Sequence, residues 1–174
     1  VSICNFNTPE SDYGSGIDSS GYLYITQDNA NTDENTYLWT GRSYSRINKV
    51  DSNQFISASI HSFLNEKDVN TGLLQFNSRN DALAFCKCVG SADKDKTCKI
   101  YYSRKVENNW QEPFPVEFTV DSLNYLSPSF SKDGNTLYFS CEDPKLKTGF
   151  DIYSSRLVDN EWTSPVRLPD FINS

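Results

Sequence analysis

An all-β fold is predicted by three observations. Short runs such as "TLYFS" (136–140) and "DIYSS" (151–155) alternate and are rich in β-branched and aromatic residues, the pattern of half-buried strands. Clusters of Asp, Asn and Gly separate these runs, as turns require. No stretch carries apolar residues at helical spacing over a dozen positions, and the nearest case, 56–64, reads equally as strand and loop.

The text then repeats itself. The segment 80–118 and the segment 134–171 align with Leu83 on Leu137, Phe85 on Phe139, Ile100-Tyr101 on Ile152-Tyr153 and Ser103-Arg104 on Ser155-Arg156. Trp110 and Trp162 lie 52 positions apart, and prolines follow at Pro113 and Pro165. A fainter copy runs from Ser20 to Ile47, with Leu23 and Ile25 in its first strand and 37–40 in its second. Repetition at roughly 40–50 residues marks stacked supersecondary units.

Each unit parses as four short strands. In the last one they are "SPSFS", "TLYFS", "FDIYSSRL" and the strand carrying "WTSPVRL". Four antiparallel strands per unit form the blade of a β-propeller. The prediction is about three blades, near 12–50, 72–118 and 124–172, in one propeller segment spanning 1–174.

The elements follow in order. Asp18 to Gly21 makes the first turn of the opening blade. In the middle blade "NSRND" replaces the usual Asp-Gly, so its turn is irregular. In the last blade Asp133 and Gly134 close the first hairpin, Gly134 taking positive φ without steric cost. Leu83, Phe85, Ile100, Tyr101, Leu137, Phe139, Ile152 and Tyr153 are expected to be buried between blades. Trp110 and Trp162 belong on equivalent outer strands, each ring packed and each indole N–H near a polar partner. Prolines suit an outer edge, which can spare an N–H.

Composition bounds the function. Net charge is −7 and the pI near 4.7, which excludes nucleic acid as a partner because phosphate contacts need clustered Lys and Arg. No apolar run reaches the ~18 residues of a membrane span. "VSICNFNTPE" lacks the basic start and apolar core of a signal peptide, so the chain reads as a mature product or an excised piece.

The motif in 126–173, "LSPSFSKDGNTLYFSCED…GFDIYSSRLVDNEWTSPVRLPDFIN", with Asp151 opening "DIY", resembles the PD40, or WD40-like, repeat. That repeat occurs in the TolB propeller and in envelope proteins of Bacteroidota that join a propeller to an OmpA-like peptidoglycan-binding domain. The resemblance covers two repeats well, 72–173, and 12–49 weakly. Three blades fall short of the ~4–8 of a closed ring, and "FINS" leads into a further blade in such proteins. The resemblance implies a non-catalytic interaction scaffold of the bacterial cell envelope, periplasmic or outer-membrane-associated. It would bind protein, peptidoglycan or other glycan partners, for example in a type IX secretion or gliding assembly.

The residues offer little chemistry of their own. If Phe85 faces Tyr101 across two strands, the register sets Cys88 opposite Cys98, a candidate disulfide. Buried thiols, or a three-thiolate metal site with Cys86, remain open, although Cys-x-Cys is a weak metal signal. His61 is the one histidine and no triad can be built on it. "GSG" at 14–16 reads as a loop, since no Lys follows. "SKDGNT" also looks like the Asp-box turn of sialidases, against which stands Asp133 as a turn former. The expectation is no enzymatic activity, no catalytic residue, no cofactor and no metal. The alternative is a glycan-active propeller: a glycosidase, sialidase-like or a lectin.

Overall fold

The computed structural model of the chain describes residues 6–7, 11–28, 36–37, 42–50, 56–57, 61, 63–91 and 94–173. Cys4, the span 38–40 of the expected strand at 37–40, and the loop tip 92–93 lie outside them. The described residues form β-strands and turns, with no helix among them.

Blade I holds β1 (Asp12–Ile17), β2 (Leu23–Asp28), a side hairpin of β3 (Thr36–Tyr37) and β4 (Arg42–Ser43), then β5 (Ser45–Val50) and β6 (Ile56–Ser57). Its sheet runs β1-β2-β5-β6. The expected second strand at 37–40 is thus corrected: β2 pairs with β5, Thr26 opposite Ile47, because β5 supplies Ile47 and Val50, which are buried.

Blade II holds β7 (Asn70–Phe76), β8 (Ala82–Ser91), β9 (Lys94–Val106), β10 (Asn109–Trp110) and β11 (Phe114–Pro115). Blade III holds β12 (Asn124–Phe130), β13 (Thr136–Glu142), β14 (Phe150–Val158), β15 (Glu161–Trp162) and β16 (Val166–Arg167). In both, the outer strand is two short pieces pairing with β9 or β14, where the sequence suggests one strand. The break falls at Pro113 and Pro165, which have no N–H for the ladder; before it, the Gln111 and Thr163 N–H groups still bond the Arg104 and Arg156 carbonyls at 3.0 and 2.8 Å.

Side chains at the turns set the hairpins. Asp18 Oδ1 accepts from the N–H groups of Ser20 and Tyr22 at 2.9 and 3.0 Å. Asp133 Oδ1 accepts from Asn135 N–H at 3.1 Å, and Gly134 has φ 75°. In the irregular turn, Asn80 takes the left-handed place at φ 56°, and Asn77 Oδ1 accepts from Asp81 and Ala82. Asparagine tolerates that region better than most residues.

The core lies between blades. Tyr24, Ile47 and Leu64 of blade I and its connection meet Leu74, Leu83 and Phe85 of blade II. On its other face, blade II sets Ala82, Ala84, Cys86, Ile100 and Tyr102 against Tyr125, Leu137, Phe139, Cys141 and Trp162 of blade III. Small residues on β8 make room for the large rings opposite, so the two faces pack as one core.

Two expectations are corrected here. Ile152 is 40% exposed, and Tyr101 and Tyr153 are half-buried. Ile152 points away from blade II, and no described residue packs over that side. Trp162 is buried, yet its indole N–H has no hydrogen-bond partner. The ring is held wholly by apolar and aromatic neighbours, which leave no acceptor within reach.

Candidate functional site

The innermost strands β1, β7 and β12 are all bulged. Register slips between Tyr13 and Ser15, between Gly72 and Gln75, and between Leu126 and Ser129. Within the slips Gly14, Leu73 and Ser127 take φ of 52°, 58° and 54°. Bulges bend a strand and re-aim its side chains, often beside binding sites. Leucine and serine held left-handed carry strain that persists only where the surroundings enforce it. Thr26 on β2 helps enforce it, its Oγ1 accepting from Leu73 N–H at 3.0 Å. A Cβ on Gly72 would lie 2.7 Å from Thr26 Cγ2, so only glycine lets the strands approach this closely. The "GSG" segment is therefore corrected from loop to bulged strand.

Beside these bulges lies a cleft of about 250 Å³, lined by Tyr13, Asp28, Ser43, Ser45, Asn70 and Thr71, with Leu73 and Leu126 as apolar walls. Asp28 is buried. Its carboxylate accepts from Ser45 Oγ at 2.8 Å, and Ser45 Oγ accepts from the Tyr13 hydroxyl at 3.0 Å. Asn70 Oδ1 accepts from Ser45 N–H at 2.9 Å. Phenol, hydroxyl and carboxylate thus form a chain within blade I, to which Asn70 of blade II is joined through the Ser45 N–H. Burial of its hydroxyl end is the largest cause that pushes the Tyr13 phenol up; the Ser45 bond opposes this and the Asp28 charge adds to it. Tyr13 is protonated and a donor at neutral pH. Two further hydroxyls, Ser43 Oγ and Thr71 Oγ1, are buried, belong to the lining and have no partner. Unpaired buried hydroxyls are costly, so this wall is ready to exchange hydrogen bonds with a ligand rich in hydroxyl groups.

The residues singled out from sequence lie elsewhere. Phe85 and Tyr101 face the blade I–II core, and Phe139 and Tyr153 the blade II–III core. Trp110 and Trp162 sit on β10 and β15. Asp133 and Gly134 shape their exposed turn. Cys88 and Cys98 form a disulfide across β8 and β9. Cys86 and Cys141 are buried thiols, Cys141 pushed up to about 11, chiefly by burial. No group of three or more His, Cys, Asp or Glu among the described residues is arranged to hold a metal. His61 lies over Phe63 at 5.2 Å, and burial, then Lys49 and Lys105, lowers its pKa.

Asp151 is buried in an ion pair. It accepts from Arg167 Nε at 2.9 Å and Nη2 at 3.2 Å, and from Thr148 Oγ1 at 2.8 Å. The Arg167 hydrogen bond is the main cause that holds its carboxyl below the usual range. A lowered folded-state pKa stabilises above the unfolded value and is lost as pH falls through the folded one. The Tm advantage of the wild type over Asp151→Asn should therefore be full at neutral pH and shrink on acidification below about pH 4. A pH series of melting curves checks this, and a constant difference would refute it.

Sequence reasoning missed the cleft because Tyr13, Asp28, Ser45 and Thr71 come from four strands. One signal was present: Asn70 and Asn124 stand 54 residues apart, the same offset as Phe85 and Phe139.

No family model and no curated protein matches the chain. Solved structures do. The fold is similar to that of an α-L-arabinofuranosidase from Lactobacillus brevis, with a TM-score of 0.50 and 14% identity, over 88% of this chain and 52% of that one. It is also matched to a GH43 endo-arabinanase from Bacillus licheniformis (TM-score 0.47, 14% identity, 88% of this chain and 55% of that one). A third match is an endo-1,5-α-L-arabinanase from Thermotoga petrophila RKU-1 (0.45, 12%, 90% and 41%). The chain thus spans about half the length of the first two. At this identity the likeness shows the fold: an all-β partial propeller of four-stranded antiparallel blades. The neighbours also correct the functional expectation. The structure with a TM-score of 0.50 is an α-L-arabinofuranosidase by name, not a TolB-like or OmpA-linked protein, so the non-catalytic envelope scaffold and the expected absence of enzymatic activity are set aside.

Proposed function

We infer that the chain is part of a glycan-active propeller that hydrolyses glycosidic bonds, with the bulge-lined cleft as a sugar subsite. The observation that carries this is the cleft itself: a buried carboxylate with two unpaired hydroxyls where three innermost strands meet. The arabinofuranosidase neighbour points to the same class. At about 250 Å³, the cleft falls below the ~300–1,000 Å³ of pockets for drug-sized ligands and suits one sugar ring. Ser45 and Asn70 position Asp28, and Tyr13 offers a ring face and a hydroxyl to the sugar. Hydrolysis by paired carboxylates needs a partner for Asp28, which this reading assigns to another blade. The Cys88–Cys98 disulfide supports an exported protein. The PD40-like motif is kept as a description of blade sequence only.

The test assays the native protein on 4-nitrophenyl glycosides, α-L-arabinofuranoside among them, and on polysaccharides. Turnover is expected, with kcat/KM lowered about 10²–10⁴-fold in Asp28→Asn and an unchanged melting profile. Sugar binding without turnover would reduce the reading to a lectin. Neither turnover nor binding, or full activity in Asp28→Asn, would overturn it.

A further inference from the structure

We propose that a pocket beside the β8–β9 hairpin is a second ligand site, distinct from the cleft, that takes the carboxylate of an acidic sugar. Two lysines form its floor. Lys87 on β8 and Lys99 on β9 are direct partners across the ladder, so both ammonium groups stand on one face of the sheet. Like charges set opposite each other cost stability. The repeat does not require them: the equivalent pairs are Gln27 and Arg46 in blade I, and Cys141 and Asp151 in blade III. Of the three blades, the middle one alone sets two cations together at this place. A local cost that the fold can do without points to function.

The side chain of Lys87 is 7% exposed. An ammonium carries three N–H donors, and burying it with donors unmet is costly. Glu66 takes one of them. Tyr101 and Phe85 bring ring centroids to 4.7 and 5.6 Å from Nζ, which holds the charge in place without supplying an oxygen acceptor. Among the described residues no second oxygen bonds it. The nitrogen borders a cavity of about 320 Å³ that Lys87 and Lys99 line with Thr97, Val69 and Val89. Lys99 pairs with Asp121, whose side chain is 86% exposed, and so exposed an ion pair holds its lysine weakly. Two ammonium groups with donors to spare therefore share one cavity.

The surroundings select the ligand. Glu66 and Asp121 stand at equivalent places, three residues after Phe63 and Phe118, on the two connections that flank blade II. They set two negative charges against the two positive ones, in a chain of net charge −7. A phosphate dianion is repelled by that field. A single carboxylate is tolerated, and its two oxygens can each meet one ammonium across strands about 4.8 Å apart. Glu66, Asp121 and the Thr97 hydroxyl are partners for sugar hydroxyls, and Val69 and Val89 for the apolar side of a ring. The ligand is therefore a uronic acid unit of a glycan. The choice of a sugar rests on the glycan-active reading; the carboxylate rests on the lysines alone. Cys88, next along β8, lines the cleft, so pocket and cleft lie on opposite faces of that strand.

Titration calorimetry of the native protein with galacturonate oligosaccharides, the matching neutral galactose oligosaccharides and inorganic phosphate tests this. Galacturonate should bind more tightly than either of the others, and less tightly as salt rises. Its affinity should fall at least about tenfold in Lys87→Met and in Lys99→Met, and stay unchanged in Lys132→Met on an exposed turn. Methionine keeps the apolar stem, and the less buried Lys99 keeps the test decisive where Lys87→Met fails to fold. Four results would each overturn the proposal: no galacturonate binding, full affinity in Lys99→Met, phosphate bound as tightly as galacturonate, or affinity lost in Asp28→Asn with both lysine variants unaffected, which would put the uronate in the cleft. No readout here uses turnover, so a failed hydrolysis assay and a failed pocket are told apart.

Discussion

Replacing Phe139 with alanine is expected to destabilise the chain by about 3–5 kcal/mol, measured by urea unfolding. The ring is 2% exposed. Phe118 stacks on it at 4.8 Å, Tyr153 at 6.2 Å, and Tyr125 tilts against it at 6.0 Å. These rings come from blade III and the connection that leads into it, and Phe139 shares its core cluster with Ala84, Cys86 and Ile100 of blade II, so one truncation loosens the whole junction. Collapse cannot fill the gap. Phe139 sits mid-strand on β13, fixed opposite Tyr153, and the facing residues of β8 are alanines and a cysteine whose backbone is itself hydrogen-bonded on both sides. The loss is therefore the transfer cost of the ring plus most of the cavity cost. Val106→Ala, at an exposed strand end, should change stability by no more than about 0.5 kcal/mol. A loss under about 1 kcal/mol for Phe139→Ala would mean that the blade II–III junction does not form as described.

The blade was legible because its determinants are local. Alternation in "TLYFS" places Leu137 and Phe139 on one face, and both are buried; Asp18 and Asp133 announce their turns by residue type alone. What a repeat cannot say is which copy lacks a neighbour. Ile152 has the same sequence context as Ile100, and its exposure is set by what packs over it. The bulges were hidden for a different reason: Leu73 and Ser127 are left-handed in spite of their residue types, held there by tertiary contacts such as Thr26. The cleft was hidden because its hydroxyls and carboxylate converge only once two blades are packed. The resemblance to PD40 repeats described the blade and misdirected the function. Its motif residues build turns and interblade cores, while chemistry in a shared fold resides in sites grafted onto it.

Trp162→Ala is expected to cost about 3–5 kcal/mol, and Trp162→Phe far less, about 0–1 kcal/mol. The contrast follows from the indole itself. Trp162 is 7% exposed, with Tyr102 edge-on at 5.6 Å and Phe130 at 6.4 Å. Alanine leaves those two rings without their partner. Phenylalanine keeps most of the apolar contact and removes only the part of the ring that bears the N–H. Because that N–H is buried without an acceptor, its removal breaks no hydrogen bond and relieves a desolvation cost of about 1–3 kcal/mol, which offsets the smaller ring. Trp110, its counterpart in blade II, behaves differently. It is half-buried, with Lys105 Nζ 4.7 Å above the ring, so Trp110→Ala should cost less than Trp162→Ala and depend on the charge at Lys105. Urea midpoints at constant m-value decide the matter. Equal losses for Trp162→Phe and Trp162→Ala would show that the indole N–H has a partner in solution, because only a lost hydrogen bond would make phenylalanine as poor a replacement as alanine.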